Sequence, residues 1–148
     1  MYMPFTQKSR EHAICIMQDI SQHPCSKPFI FPLDPISSKC IDYYEKIKKP
    51  ISITLIINKL LNAEEAYPNI ENWRADIQLL YKNAISYFGH DSQMGYLAEA
   101  FLKIFEKKYR NFSLIYNNSL WLQRYSSLLQ KIKMLDLKMP GSIGNTYL

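Results

Sequence analysis

The chain of 148 residues is 47% apolar and 21% charged, a balance that supports one folded core and excludes intrinsic disorder. Its net charge of +5 mildly favours acidic partners, yet basic residues cluster only at KIKK (46–49) and KKYR (107–110), so no specific nucleic-acid binding is expected. No apolar run approaches a bilayer span, and MYMPFTQKSREH lacks a signal-peptide core, so the chain reads as soluble and intracellular with no membrane partner.

Residues 6–22 carry Ala13, Ile14, Met17 and Ile20 at three- and four-residue steps, and Pro24 closes that helical segment. Five of the eight prolines fall between Pro24 and Pro50. They stiffen a connection of roughly 27 residues, against about 2–8 for ordinary helix–helix links. Its Phe29, Ile30, Phe31, Leu33, Ile36, Ile41, Tyr43 and Tyr44 are too apolar for a disordered loop, so it is expected to pack on a bundle and wall off a pocket at one end. Ser52 is a good N-cap for a second helix with Ile53, Ile56, Ile57, Leu60 and Leu61 in one stripe. Asn69 can cap a third, carrying Ile70, Trp73, Ile77, Leu80, Ala84 and Tyr87. Asp91 or Ser92 starts a fourth, with Met94, Leu97, Phe101, Ile104 and Phe105 facing inward. No period-two alternation survives, so the fold class is all-α, and four amphipathic helices with mostly short links read as an antiparallel bundle.

Two absences bound the chemistry. Cys15, Cys25 and Cys40 form neither a disulfide framework nor, with His12 and His23, a tight metal-ligand spacing, so no metal and no cofactor are expected. Catalytic triad order, Gly-rich phosphate loops and His-Glu metal motifs are all missing, so the chain is not expected to be an enzyme.

The segment PFIFPLDPISSKCIDYYEKIKKPISI resembles the long loop between the first two helices of a bromodomain, the module that reads acetylated lysine. Pro28-Phe29 match its shelf, Pro32-Leu33-Asp34 the step after it, Tyr43-Tyr44 its tyrosine pair and Pro50 the proline before the next helix. DIQLLYKNAISYF resembles the family's third helix, through Asp76, Ile77, Leu79, Asn83, Ala84 and Tyr87. The resemblance covers about residues 8 to 110. It implies a left-handed four-helix bundle over residues 6–110, a nuclear location, and an acetylated lysine peptide, such as a histone tail, as partner. The implied acetyl-lysine pocket comprises Pro28, Phe29, Pro32, Leu33, Tyr43, Tyr87, Phe88 and Met94. Tyr43 matches the tyrosine that reaches the acetyl oxygen through water, and Lys27 stands where some members have a tryptophan shelf.

One departure matters most. Where the family closes the third helix with Tyr-Asn, this chain has Tyr87-Phe88, so phenylalanine replaces the asparagine that holds the acetyl group. Phenylalanine has no hydrogen-bond donor. A buried amide carbonyl left without its partner costs about 1–3 kcal/mol, roughly ten- to a hundredfold in affinity. Either Tyr43 with its waters, or a loop donor such as His90 or Ser92, holds an acetyl group; or the cleft takes another acyl group; or the bundle is a degenerate, non-reading scaffold for protein–protein interaction.

Residues 111–148 extend past the family's end. Trp121, Tyr125, Leu128, Ile132 and Leu135 recur at steps of four, three, four and three, a short heptad seam on a helix expected at about 119–138 with Ser119 as N-cap. Such a helix either folds back on the bundle or mediates docking to a partner protein or self-association. MPGSIGNTYL reads as a flexible tail.

Overall fold

The computed structural model describes residues 3–62, 64 and 66–138, with side chains to 135. It has five α-helices: α1 (Gln7–Ser21), α2 (Tyr43–Lys46), α3 (Ile53–Leu61), α4 (Ile70–Phe88) and α5 (Gln93–Lys138). A 3-10 segment, Pro24–Phe29, follows α1. Among the described residues there is no named strand; the one extended pairing is an isolated bridge between Pro4 and Asn69. The fold is an all-α helical bundle.

Each long helix starts on a side chain that satisfies an otherwise orphaned backbone N–H. Thr6 caps α1 in a reciprocal box with Ser9. Ser52 Oγ accepts from the Leu55 N–H at 3.2 Å, and Asn69 Oδ1 accepts from the Asn72 N–H at 2.9 Å. Ser92 Oγ accepts from the Gly95 N–H at 2.9 Å at the start of α5. The expected starts of the second, third and fourth helices therefore stand.

The chain divides into two compact units, Met1–Arg110 and Asn111–Leu148. The core of the first is built from Ala13, Ile16, Met17 and Ile20 of α1, Ile53, Ile56 and Leu60 of α3, Trp73 and Ile77 of α4, and Ala98, Phe101 and Phe105 of α5. Two details differ from the stripes read off the spacing. Ile16 is buried while Ile14 is half-buried, and Leu61 is exposed at the end of α3. Polar ties hold the helices in register around this core. Arg74 grips Glu106 with two hydrogen bonds of 3.1 and 2.9 Å between α4 and α5. Asp76 accepts from Lys59 of α3 and from the Tyr67 hydroxyl, and Arg10 of α1 donates to the Leu60 carbonyl.

The long link is less irregular than expected, since it contains the 3-10 segment and the single turn of α2. It packs as expected only in part: Phe29 and Tyr43 are buried, whereas Phe31, Ile36, Ile41 and Tyr44, expected to pack with them, are exposed, because ties at a few points and not a continuous apolar face hold the link. Phe29 is buried with its ring 6.0 Å from Phe101, the Ser26 hydroxyl donates to the Ile20 carbonyl, and both the N–H and the hydroxyl of Thr54 donate to the Ile30 carbonyl.

In the second unit the expected helix start at Ser119 is absent, because α5 runs without interruption from Gln93 to Lys138. No glycine or proline occurs between Tyr96 and Met139, so nothing in the covalent chain interrupts the ladder of hydrogen bonds. The tail MPGSIGNTYL lies outside the described residues. Among them, no helix is long and apolar enough to cross a membrane, and no three His, Cys, Asp or Glu side chains converge as a metal site.

Candidate functional site

The loop end of the bundle holds a cavity of about 230 Å³. Its floor comes from one helix face: Leu80, Ala84 and Phe88 follow one another at four-residue steps along α4. The long link supplies the walls, from Pro28, Phe29, Phe31, Pro32 and Leu33 on one side and Tyr43 and Tyr44 on the other. Pro50, Ile51, Ser52 and Leu55 close the α3 side, and Met94 comes from the first turn of α5. The volume suits several waters or one slender side chain, at about 30 Å³ per water.

Backbone carbonyls are engaged at three places in or beside the walls. The Tyr44 hydroxyl donates to the Leu33 carbonyl at 2.7 Å, Thr54 takes Ile30, and Asn83 Nδ2 donates to the Lys49 carbonyl at 2.8 Å. Ser52 is spent as the α3 cap. The loop donors considered from sequence are similarly disposed. Ser92 donates to the Gly89 carbonyl at 2.7 Å, while His90 is exposed and does not line the cavity.

Tyr43 is different. It is buried, and among the described residues its hydroxyl has no hydrogen-bond partner. Burial, then the neighbouring Tyr44 and Cys40, push its pKa above the ordinary tyrosine value, so the hydroxyl keeps its proton and remains a donor.

Seven of the eight residues singled out in the sequence line this cavity: Pro28, Phe29, Pro32, Leu33, Tyr43, Phe88 and Met94. Tyr87 does not. Its hydroxyl donates to Asp42 Oδ1 at 2.5 Å, and its ring stands edge-on to Tyr43 and Phe88 at 4.9 and 4.8 Å. Asp42 also pairs with Lys46 Nζ at 2.8 Å. Lys46 first, and the Tyr87 hydroxyl second, lower the Asp42 pKa to about 2, and the same bond raises that of Tyr87. Tyr87 thus braces the wall from behind: it holds the residue before Tyr43 and packs against the Tyr43 ring.

Phe88, the last residue of α4, is half-buried in the cavity wall, its ring 6.5 Å from that of Tyr43 and inclined at 33°. The ring leaves the cavity open beside it. The chain reverses at Gly89, whose φ of 90° favours glycine. Gly95 is needed for space, since a Cβ there would collide with the Gly89 and His90 carbonyl oxygens.

Leu80 and Ala84 were missed as lining residues although their spacing back from Phe88 marks them. Phe31 and Tyr44 belong to the apolar link expected to wall off a pocket and do line it, whereas Pro50, Ile51, Ser52 and Leu55 carry no comparable signal, because the folding of the link and not a period brings them in.

Comparison with known proteins meets this geometry on the same residues. The sequence profile described as "Bromodomain" matches residues 15–100, more than half of the chain. The mouse protein named bromodomain adjacent to zinc finger domain protein 2B is 34% identical over 109 residues, 72% of this chain and 5% of that protein. Transcription factor GTE1 of Arabidopsis thaliana is 33% identical over 94 residues, 64% of this chain and 24% of that protein. The SWR1 complex bromodomain subunit bdf1 of Schizosaccharomyces pombe is 27% identical over 99 residues, 67% of this chain and 17% of that protein. The chain thus spans a quarter or less of the length of these relatives. With the profile matched from α1 into α5 and the long link folded into one wall of the cavity, the chain belongs to the bromodomain family.

Proposed function

We propose that this bromodomain is an atypical, non-catalytic reader of lysine acetylated, or otherwise acylated, on histones or other chromatin proteins in the nucleus. The observation that carries the reading is the Tyr43 hydroxyl, which keeps its proton and has no hydrogen-bond partner among the described residues, at an apolar cavity that Phe88 leaves open. Acetylation removes the lysine charge and leaves an apolar stem ending in a neutral amide. The prolines, Leu33 and Met94 offer the stem a dry channel, and Tyr43 reaches the acyl oxygen directly or through one ordered water, a bridge nearly as good as a direct bond. Without an asparagine amide the anchoring is weak. The names of the relatives, a transcription factor and a subunit of the SWR1 complex, support a chromatin setting.

The test is an NMR titration of the whole chain with mono- and di-acetylated histone peptides against their unacetylated counterparts. Saturable shifts at Tyr43, Phe88 and Met94 with acetylated peptides alone are the expected result. No acetyl-dependent shift at about millimolar peptide, the weakest range in which single-site contacts register, would sink the acetyl-lysine reading, and the same silence with peptides carrying longer acyl groups would leave a scaffold that does not read.

A further inference from the structure

We propose that the part of α5 beyond Arg110 is a self-association helix that pairs in parallel with the same segment of a second copy. This is independent of what the cavity binds. Residues Leu114, Trp121, Tyr125, Leu128, Ile132 and Leu135 lie along one stripe of the helix, each 46–61% exposed. In heptad terms Leu114, Trp121, Leu128 and Leu135 take d positions, and Tyr125 and Ile132 take a positions. Asn118 falls at the remaining a position, and the structure leaves it exposed on that stripe. The seam thus runs over three heptads, one more than the apolar residues alone suggest. Ile115, Leu122 and Leu129 widen it along the e flank, also exposed.

The exposed area matches what a dimer needs. About half of each of nine large side chains, at roughly 100 Å² apiece, presents on the order of 900 Å² per helix, against about 800 Å² per partner in a stable interface. A patch of that size exceeds what monomeric proteins ordinarily leave in water.

Two independent features choose a second copy in parallel. The g positions Asn117, Arg124 and Lys131 carry no acidic side chain. An antiparallel pair sets g against g, so Arg124 of one copy faces Lys131 of the other, twice. A parallel pair sets g against e, where the stem of Arg124 covers Leu129 of the second copy. Asn118 acts in the same direction. In the antiparallel register that overlaps the whole seam it meets Leu135, burying an amide against an apolar side chain. In parallel it meets Asn118 of the second copy, and the two amides satisfy each other, a device that fixes register and strand number at some cost in stability.

Sedimentation equilibrium of the full chain is expected to show a monomer–dimer equilibrium at about 10–100 µM, since such assembly is set by protomer concentration. Ile132→Asp, at an exposed position, should raise the dimer dissociation constant about tenfold or more and leave the pocket resonances in place. Asn118→Cys should oxidise to a 118–118 linked dimer, identified by the mass of the linked peptide. A monomer throughout that range, a dimer indifferent to Ile132→Asp, or an Asn118→Cys dimer that links 118 to another cysteine would each overturn the proposal.

Discussion

Phe88 sets the character of the cavity by what it withholds. The last turn of α4 presents a ring where the family presents an amide, so any acyl oxygen must find its donor elsewhere, and Tyr43 is the candidate in the wall. Phe88→Asn is therefore expected to tighten acetylated-peptide binding about ten- to a hundredfold, the inverse of leaving a buried carbonyl unpaired; calorimetry on the two proteins reads it. An unchanged affinity would mean that binding does not run through this position. Tyr43→Phe should abolish what the native cavity binds while leaving the fold intact, because the hydroxyl bonds no described residue. The brace behind the wall is ionic and can be titrated. The Asp42 carboxyl is held down to about 2 from the usual 3.8, so the folded chain binds its proton later than the unfolded chain does. Its contribution is complete above the unfolded value and fades as pH falls from about 4 toward 2. Carboxyl-detected NMR should place its midpoint near 2, with Lys46→Met raising it more than Tyr87→Phe does. The reverse order would contradict the ranking of the two partners.

Among the elements, α3 connects the backbone scaffold to the site. Its cap, Ser52, is buried, accepts from the Leu55 N–H, and lines the cavity at the same time. Ser52→Ala should cost about 1 kcal/mol of stability in urea unfolding and should shift the resonances of Ile51 and Leu55 in the wall. A change below a few tenths would show that water replaces the cap. Thr54, two residues along, clamps the Ile30 carbonyl and so carries the shelf of Pro28 and Phe29 against α3. The link between α1 and α3 keeps its shape through such ties. It has little regular structure of its own, and the 3-10 segment and α2 are too short to stand without them. Helix α5 obeys the opposite logic. Its backbone ladder is local, and a serine at 119 in mid-helix costs only a few tenths of a kcal/mol relative to better helix formers, so the ladder continues where a cap had been expected.

On the scale of the whole molecule, the core and the cavity share residues. Phe101, fully buried, touches the Phe29 ring that forms part of the shelf. Phe101→Ala is expected to cost about 3–5 kcal/mol, measured by chemical denaturation, and to broaden the resonances of the loop end before those of α1 and α4. Uniform broadening would show that the shelf does not depend on this contact. A dimer through the C-terminal unit would place two cavities in one assembly, and a chain bearing two marks would then bind with avidity instead of single-site affinity. Much of this architecture follows from neighbours in the chain. Ser52, Asn69 and Ser92 announce helix starts because a cap and its N–H lie three residues apart. The recurrence of Trp73, Ile77, Leu80 and Ala84 announces a buried face, and the phenylalanine at 88 announces a missing donor in any fold that brings it to a pocket. Tertiary structure decided the rest: that Tyr87 turns to Asp42, 45 residues away, that Asn83 holds the Lys49 carbonyl across 34, and that Ile30 meets Thr54 across 24. Periodicity reports only which residues share a face of one element. The walls of this cavity are made by contacts between elements, and those are chosen by the packing of the assembled core.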